Sequence, residues 1–88
     1  MIIKGNLVHT GWNQLDDDFI IYLPKEEKYF VLNSTGAEFW KLLVKGEVSL
    51  EEAVDYFLTL YDCDKEVIKK DLLELVENLE KHGLVEVK

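Results

Sequence analysis

Tyr29-Phe30-Val31-Leu32-Asn33-Ser34-Thr35-Gly36-Ala37-Glu38-Phe39-Trp40 contains the change of pattern that decides the fold. Up to Asn33 the aromatic and β-branched residues read as a strand. From Ser34 onward the apolar residues Ala37, Phe39, Trp40 and Leu43 recur at helical spacing, with Gly46 as a stop. A helix is expected from Ser34 or Thr35, with Thr35 and Glu38 as a capping box. The chain therefore divides near residue 33, with strands before it and helices after it.

Working back from that boundary, Phe19–Leu23 is a second β-rich run, set between Asp16-Asp17-Asp18 and Pro24. Proline cannot donate to a ladder, so Pro24 ends this strand. The polar connector Pro24-Lys25-Glu26-Glu27-Lys28 suits a hairpin, which pairs Phe19–Leu23 antiparallel with Tyr29–Asn33. Leu7–Trp12 is the weakest of the three strand candidates. Working forward, Ser49 with Glu52 forms a capping box for a second helix, which carries Leu50, Ala53, Val54, Phe57 and Leu58 and ends near Tyr61-Asp62. Asp64 opens a third helix that runs to about His82 and stops at Gly83. Its core stripe is Ile68, Leu72, Leu75, Val76 and Leu79. Leu84–Val87 alternates as a short final strand or tail does. The sum is one domain of α+β class: an N-terminal three-stranded antiparallel sheet followed by three helices, in a winged helix-turn-helix arrangement.

Composition narrows the function. The 88 residues carry 18 acidic and 10 basic side chains, a formal net charge of −8. Every basic residue is lysine. Nucleic-acid binders need a basic face and commonly read bases with arginine, so no nucleic-acid partner is expected. An acidic body attracts a cationic partner instead. The single cysteine, Cys63, permits no internal disulfide and fits a reducing cytoplasm. No apolar run reaches the roughly 18 residues of a membrane span, and no membrane association is expected.

Chemistry is sparse. His9 and His82 read as surface histidines, and with one cysteine they give no metal-ligand spacing. Cys63 lies between acids, which raise a thiol pKa, and reads as a turn residue packed between helices. Asp16-Asp17-Asp18 lacks the spaced oxygens and glycine of a hard-metal loop and reads as solvated. The carboxylates Glu51, Glu52, Asp55, Glu74, Glu77 and Glu80 fall on outward helix positions. No glycine-rich phosphate loop is present. Neither an enzyme nor a cofactor or metal is expected. An acyl-carrier protein would present serine in an Asp-Ser-Leu context, and neither Ser34 nor Ser49 does.

Leu32-Asn33-Ser34-Thr35-Gly36-Ala37, Trp40, Leu43, Gly46 and Ser49-Leu50-Glu51-Glu52-Ala53 together resemble the PqqD family. Tyr61-Asp62, Asp64, Val67, Asp71, Leu75, Leu79 and Gly83-Leu84-Val85 continue the resemblance, which covers residues 15–87. It implies a stand-alone recognition element for ribosomally made, post-translationally modified peptides, as in the pyrroloquinoline quinone and lasso-peptide pathways. Such a domain binds the leader region of a precursor peptide and presents it to a modifying enzyme, such as a radical-SAM protein or a leader peptidase. In this family the leader lies along the third strand, against the third helix.

On that reading the strand edge is Tyr29, Phe30, Val31 and Leu32, where an extended peptide gains main-chain hydrogen bonds. Alternation turns Phe30 and Leu32 inward and Tyr29 and Val31 outward. The other wall is a helix-three face made of Val67, Lys70, Asp71 and Glu74. There Val67 gives apolar contact and the two acids favour lysine or arginine on the leader. The alternatives are that Val67 extends the core, that the charges are a solvated face, or that a groove lies on the flank of Leu73. Trp12 and Trp40 are expected in or near the core. An open edge is also able to pair with its own copy as a homodimer. The competing reading of the same fold is a DNA-binding winged-helix regulator, which the charge disfavours.

Overall fold

A computed structural model describes residues 1–8, 10–16 and 18–88, without the side chain of Lys25. His9 and Asp17 lie outside the described residues. The elements run β1 (Ile2–Gly5), β2 (Gly11–Leu15), β3 (Asp18–Leu23), a 3-10 turn (Pro24–Glu26), β4 (Lys28–Leu32), α1 (Ser34–Lys45), β5 (Val48–Ser49), α2 (Leu50–Leu60), α3 (Lys65–Lys81) and β6 (Val85–Val87).

The strands form two antiparallel sheets, where the sequence suggested one. One has the order β2-β3-β4 and the other β5-β1-β6. The expected strand at Leu7–Trp12 is corrected to Gly11–Leu15. Its place is set by the pairing of Leu15 with Asp18, which closes a tight hairpin with Asp16 at φ 55°. Ile2–Gly5 was not anticipated as a strand. Ile3 pairs with Val48 on one side and Val87 on the other, and is fully buried between them. Reciprocal bonds between Ile2 and Lys88, at 3.1 and 2.9 Å, tie the two chain ends together.

The core is a single cluster contributed by all three helices and both sheets. Ala37, Phe39, Trp40 and Leu43 of α1, and Leu50, Ala53, Val54 and Phe57 of α2, are buried as their spacing required. Leu58 is exposed and Leu75 only half-buried, because each falls at the margin of its helix's apolar stripe. Trp40 is fully buried, and the partly exposed Trp12 packs against it edge-on at 5.9 Å.

Helix starts are mostly where the chain marks them. Ser49 and Glu52 make the reciprocal capping box. The cap of α1 is Asn33, which corrects the Thr35/Glu38 box: Asn33 Oδ1 accepts from the Gly36 amide at 2.8 Å. A Cβ on Gly36 would stand 3.2 Å from the Leu32 Cβ, so the close approach of strand to helix needs glycine there. Glu38 instead accepts a hydrogen bond from the Tyr56 hydroxyl at 3.2 Å, joining α1 to α2. Partial burial, then the Glu38 carboxylate, raise the Tyr56 pKa above its ordinary value. Asp64 precedes α3 without a side-chain capping bond; its carbonyl accepts from the amides of Val67 and Ile68. At the other end of α3, Gly83 takes φ 75°, a left-handed conformation open to glycine. Replacing Asn33 with alanine should cost about 1 kcal/mol, seen as a lower urea midpoint with an unchanged slope.

Candidate functional site

β4 has a partner on one side only. It pairs with β3 from Leu23–Lys28 to Phe19–Leu32, and no described strand pairs with its other edge. Within β4, Phe30 and Leu32 are half-buried, while Tyr29 and Val31 are 66% and 54% exposed. That is the alternation expected when one sheet face meets the core and the other meets solvent. Every second residue of an edge strand also points its amide and carbonyl outward, so β4 offers unmade backbone hydrogen bonds.

α3 lies across from this edge. At the far end Phe30 meets His82, with ring centroids 4.8 Å apart, and Lys28, Glu26, Glu80, Lys81 and Gly83 complete a polar hollow. Toward the start of α1, Asn33, Thr35 and Gly36 face Asp71, Glu74, Leu75 and Asn78 across a second hollow. A third adjoins it, where Thr35 and Asp71 meet Val67, Cys63 and the end of α2. The three together mark a groove along the length of α3.

The helix side of the groove is one stripe. Val67, Asp71, Glu74 and Asn78 succeed one another at intervals of four, three and four, and His82 continues the series. The buried stripe of Ile68, Leu72, Val76 and Leu79 is turned by one position toward the core. Of the four helix residues expected in the groove, Val67, Asp71 and Glu74 are brought together. Lys70 is exposed and lines none of the three hollows, because it sits about 100° away from Asp71. Leu75, Asn78 and His82 were not anticipated as lining residues. Carrying the spacing of Val67, Asp71 and Glu74 onward would have found Asn78 and His82. Leu75 was hidden by its fit to the core stripe. Leu73 is partly buried against the core.

The groove is acidic near α1, where Asp71 and Glu74 make no ion pair among the described residues. Toward the C-terminal end of α3 the charges are mixed, Lys28 and Lys81 with Glu26 and Glu80. Cys63 is exposed in the turn between α2 and α3, which corrects its expected packing between helices: the inward position in that turn is taken by Tyr61, whose ring stacks on Phe57. Among the described residues no three His, Cys, Asp or Glu side chains converge as a metal site. No helix is long and apolar enough to cross a membrane.

The sequence model of the family described as coenzyme PQQ synthesis protein D (PqqD) matches residues 18–85. No curated protein sequence matches the chain. Among solved structures, TbiB1 in complex with the TbiA(beta) leader peptide is 26% identical, with 97% of this chain and 96% of that chain covered at a TM-score of 0.86. Lasso peptide synthetase B1 complexed with the leader peptide shares the fold at 19% identity and a TM-score of 0.83, over 97% and 98% of the two chains.

Proposed function

We propose that this chain, which belongs to the PqqD family, binds the leader region of a ribosomally made precursor peptide in the groove between β4 and α3. The observation that carries the reading is the likeness, over nearly the whole of both chains, to TbiB1 bound to a leader peptide. The free edge of β4 supports it physically. A peptide laid along β4 in extended form would satisfy the outward amides and carbonyls, at about 0.5–1.5 kcal/mol net per bond. Tyr29 and Val31 flank the added strand on the solvent face; Phe30 and Leu32 support it from within.

We read the domain as non-catalytic, a holder that presents the peptide to a modifying enzyme or leader peptidase in the cytoplasm. We read α2, residues 61–64 and α3, with the β3–β4 hairpin beside them, as a winged helix-turn-helix adapted to peptide. The DNA-binding reading gains nothing from the groove, since Asp71 and Glu74 stand where phosphate would approach.

The test is an NMR titration of the isolated domain with synthetic leader peptides, the TbiA(beta) leader among them. Amide shifts should concentrate in Tyr29–Asn33 and on α3 from Val67 to Asn78. Shifts confined to any other surface would remove the groove from consideration. The charges make a second test. For a leader with lysine or arginine in its bound stretch, the double substitution Asp71→Lys with Glu74→Lys should weaken binding about tenfold at low salt, and less as salt screens the pair. Isothermal titration at two ionic strengths measures both.

A further inference from the structure

We infer that the solvent face of the β2-β3-β4 sheet is a self-association surface, on which a second copy of this chain packs face to face. The surface is independent of the peptide groove, since it is the side of the sheet turned away from the core.

The strand register defines the face. Phe19, Ile21 and Leu23 of β3 are buried, so Ile20 and Tyr22 point the other way, as do Tyr29 and Val31 of β4. Pairing sets Ile20 beside Val31 and Tyr22 beside Tyr29. Tyr22, Tyr29 and Val31 are exposed and Ile20 is half-buried, so the four form one apolar block. An antiparallel sheet that meets water ordinarily carries polar residues on that side. Among the described residues, Asp18, at one end, is the only charged one that the register places there. The whole chain carries 18 acidic and 10 basic side chains. An aromatic block poor in charge has the composition of an interface core.

The block is complementary to itself. Its Tyr22–Tyr29 row is bulky and its Ile20–Val31 row is smaller. A two-fold axis in the plane of the faces, perpendicular to the strands, sets β3 over β3 and β4 over β4 with the directions reversed. Each tyrosine row then lies over the other copy's Ile20–Val31 row, large against small. The same rotation carries Asp18 away from the other copy's Asp18 and toward its Pro24–Lys28 turn, which has two lysines and two glutamates and so no net charge. An axis parallel to the strands would instead set Asp18 on Asp18 and Val31 on Asn13. In the favoured arrangement the sheets stack about 10 Å apart. Both β4 edges then open on one flank, free to take a peptide.

Area and charge set the strength of the contact. A three-stranded sheet about five residues long presents roughly 14 by 17 Å, well below the roughly 800 Å² per partner of a stable interface. Two bodies of net charge −8 also repel each other. The dimer is therefore weak, and salt strengthens it by screening that repulsion.

Sedimentation equilibrium of the peptide-free domain, at concentrations up to about 1 mM and at low and high salt, measures this directly. The mean mass should rise with concentration toward that of a dimer. The dissociation constant should fall about threefold or more from low to high salt. Tyr22→Lys buries an unpaired charge from each copy at the centre of the contact and should raise that constant at least about tenfold. In a mixture of labelled and unlabelled chains, intermolecular NOEs should join the Tyr22 and Tyr29 rings to the Ile20 and Val31 methyls. That measurement uses the unaltered chain, so it decides the question even where the variant misfolds. A chain that stays monomeric under all these conditions would overturn the self-association and leave the face to a different protein. A dimer indifferent to Tyr22→Lys, or NOEs from any other surface, would place the contact elsewhere and overturn it as well.

Discussion

Trp40→Ala should lower the unfolding free energy by about 3–5 kcal/mol. A domain of 88 residues has about 4–13 kcal/mol in total at the usual stability per residue. The substitution therefore leaves the fold at the edge of stability. The size of the effect follows from position. Trp40 is fully buried in a cluster that joins α1 to both sheets, and Trp12 packs on it. Alanine removes most of that contact, and a body this small has little freedom to collapse around the void. Trp40→Phe should be far milder. The indole Nε1 is buried without a hydrogen-bond partner, and phenylalanine removes that desolvated donor, worth about 1–3 kcal/mol, while opening a smaller cavity. Urea melts followed by circular dichroism measure both variants. A Trp40→Phe midpoint as low as that of Trp40→Ala would overturn the milder expectation for phenylalanine.

Backbone N-methylation of a bound leader peptide should produce an alternating pattern of loss. A methyl group on an amide that faces β4 removes one hydrogen bond and pushes the strands apart; on the next residue it faces solvent. The expected loss is about tenfold or more at every second position across the paired stretch, and little between. The alternation is the signature of strand addition; a helix docked in the same groove would instead lose affinity at nearly every position past its first turn, because each amide there donates within the helix. A flat profile would exclude backbone pairing. β2 is the sheet's other edge, but Gly11, Asn13 and Gln14 make it polar, and the groove hollows draw no residue from it. Transfer of the peptide's cross-strand contacts from Tyr29–Leu32 to Gly11–Leu15 would therefore be a clear contradiction.

Much of this molecule was legible one residue at a time. Ser49 and Glu52 mark the start of α2 because a capping box is local, closed within four residues. The stripe of Ile68, Leu72, Val76 and Leu79 follows from the helical period alone. The inward and outward faces of β4 follow from alternation, and its pairing with Phe19–Leu23 from the short polar connector between them. The helical period also groups Val67, Asp71 and Glu74 on one side of α3, but it groups Lys70 with them, and Lys70 lines none of the hollows.

The rest depended on contacts between distant residues. Asn33 displaces Thr35 as the cap because Gly36 lets the helix amide approach it, a choice between two good candidates that only backbone geometry makes. β1 is four residues and β5 two, too short to show a period. They are strands because the folded helices bring Val48 and Val87 to opposite sides of Ile3, more than forty positions away in each case. The sequence by itself determined the helices, their buried faces and the β3–β4 hairpin, since these rest on short-range spacing and capping. Tertiary structure alone decided the division into two sheets, the alignment of α3 with the free edge of β4, and the exposed hollow at Cys63. Each arises where separate elements pack, and no local pattern carries the angle or distance between them.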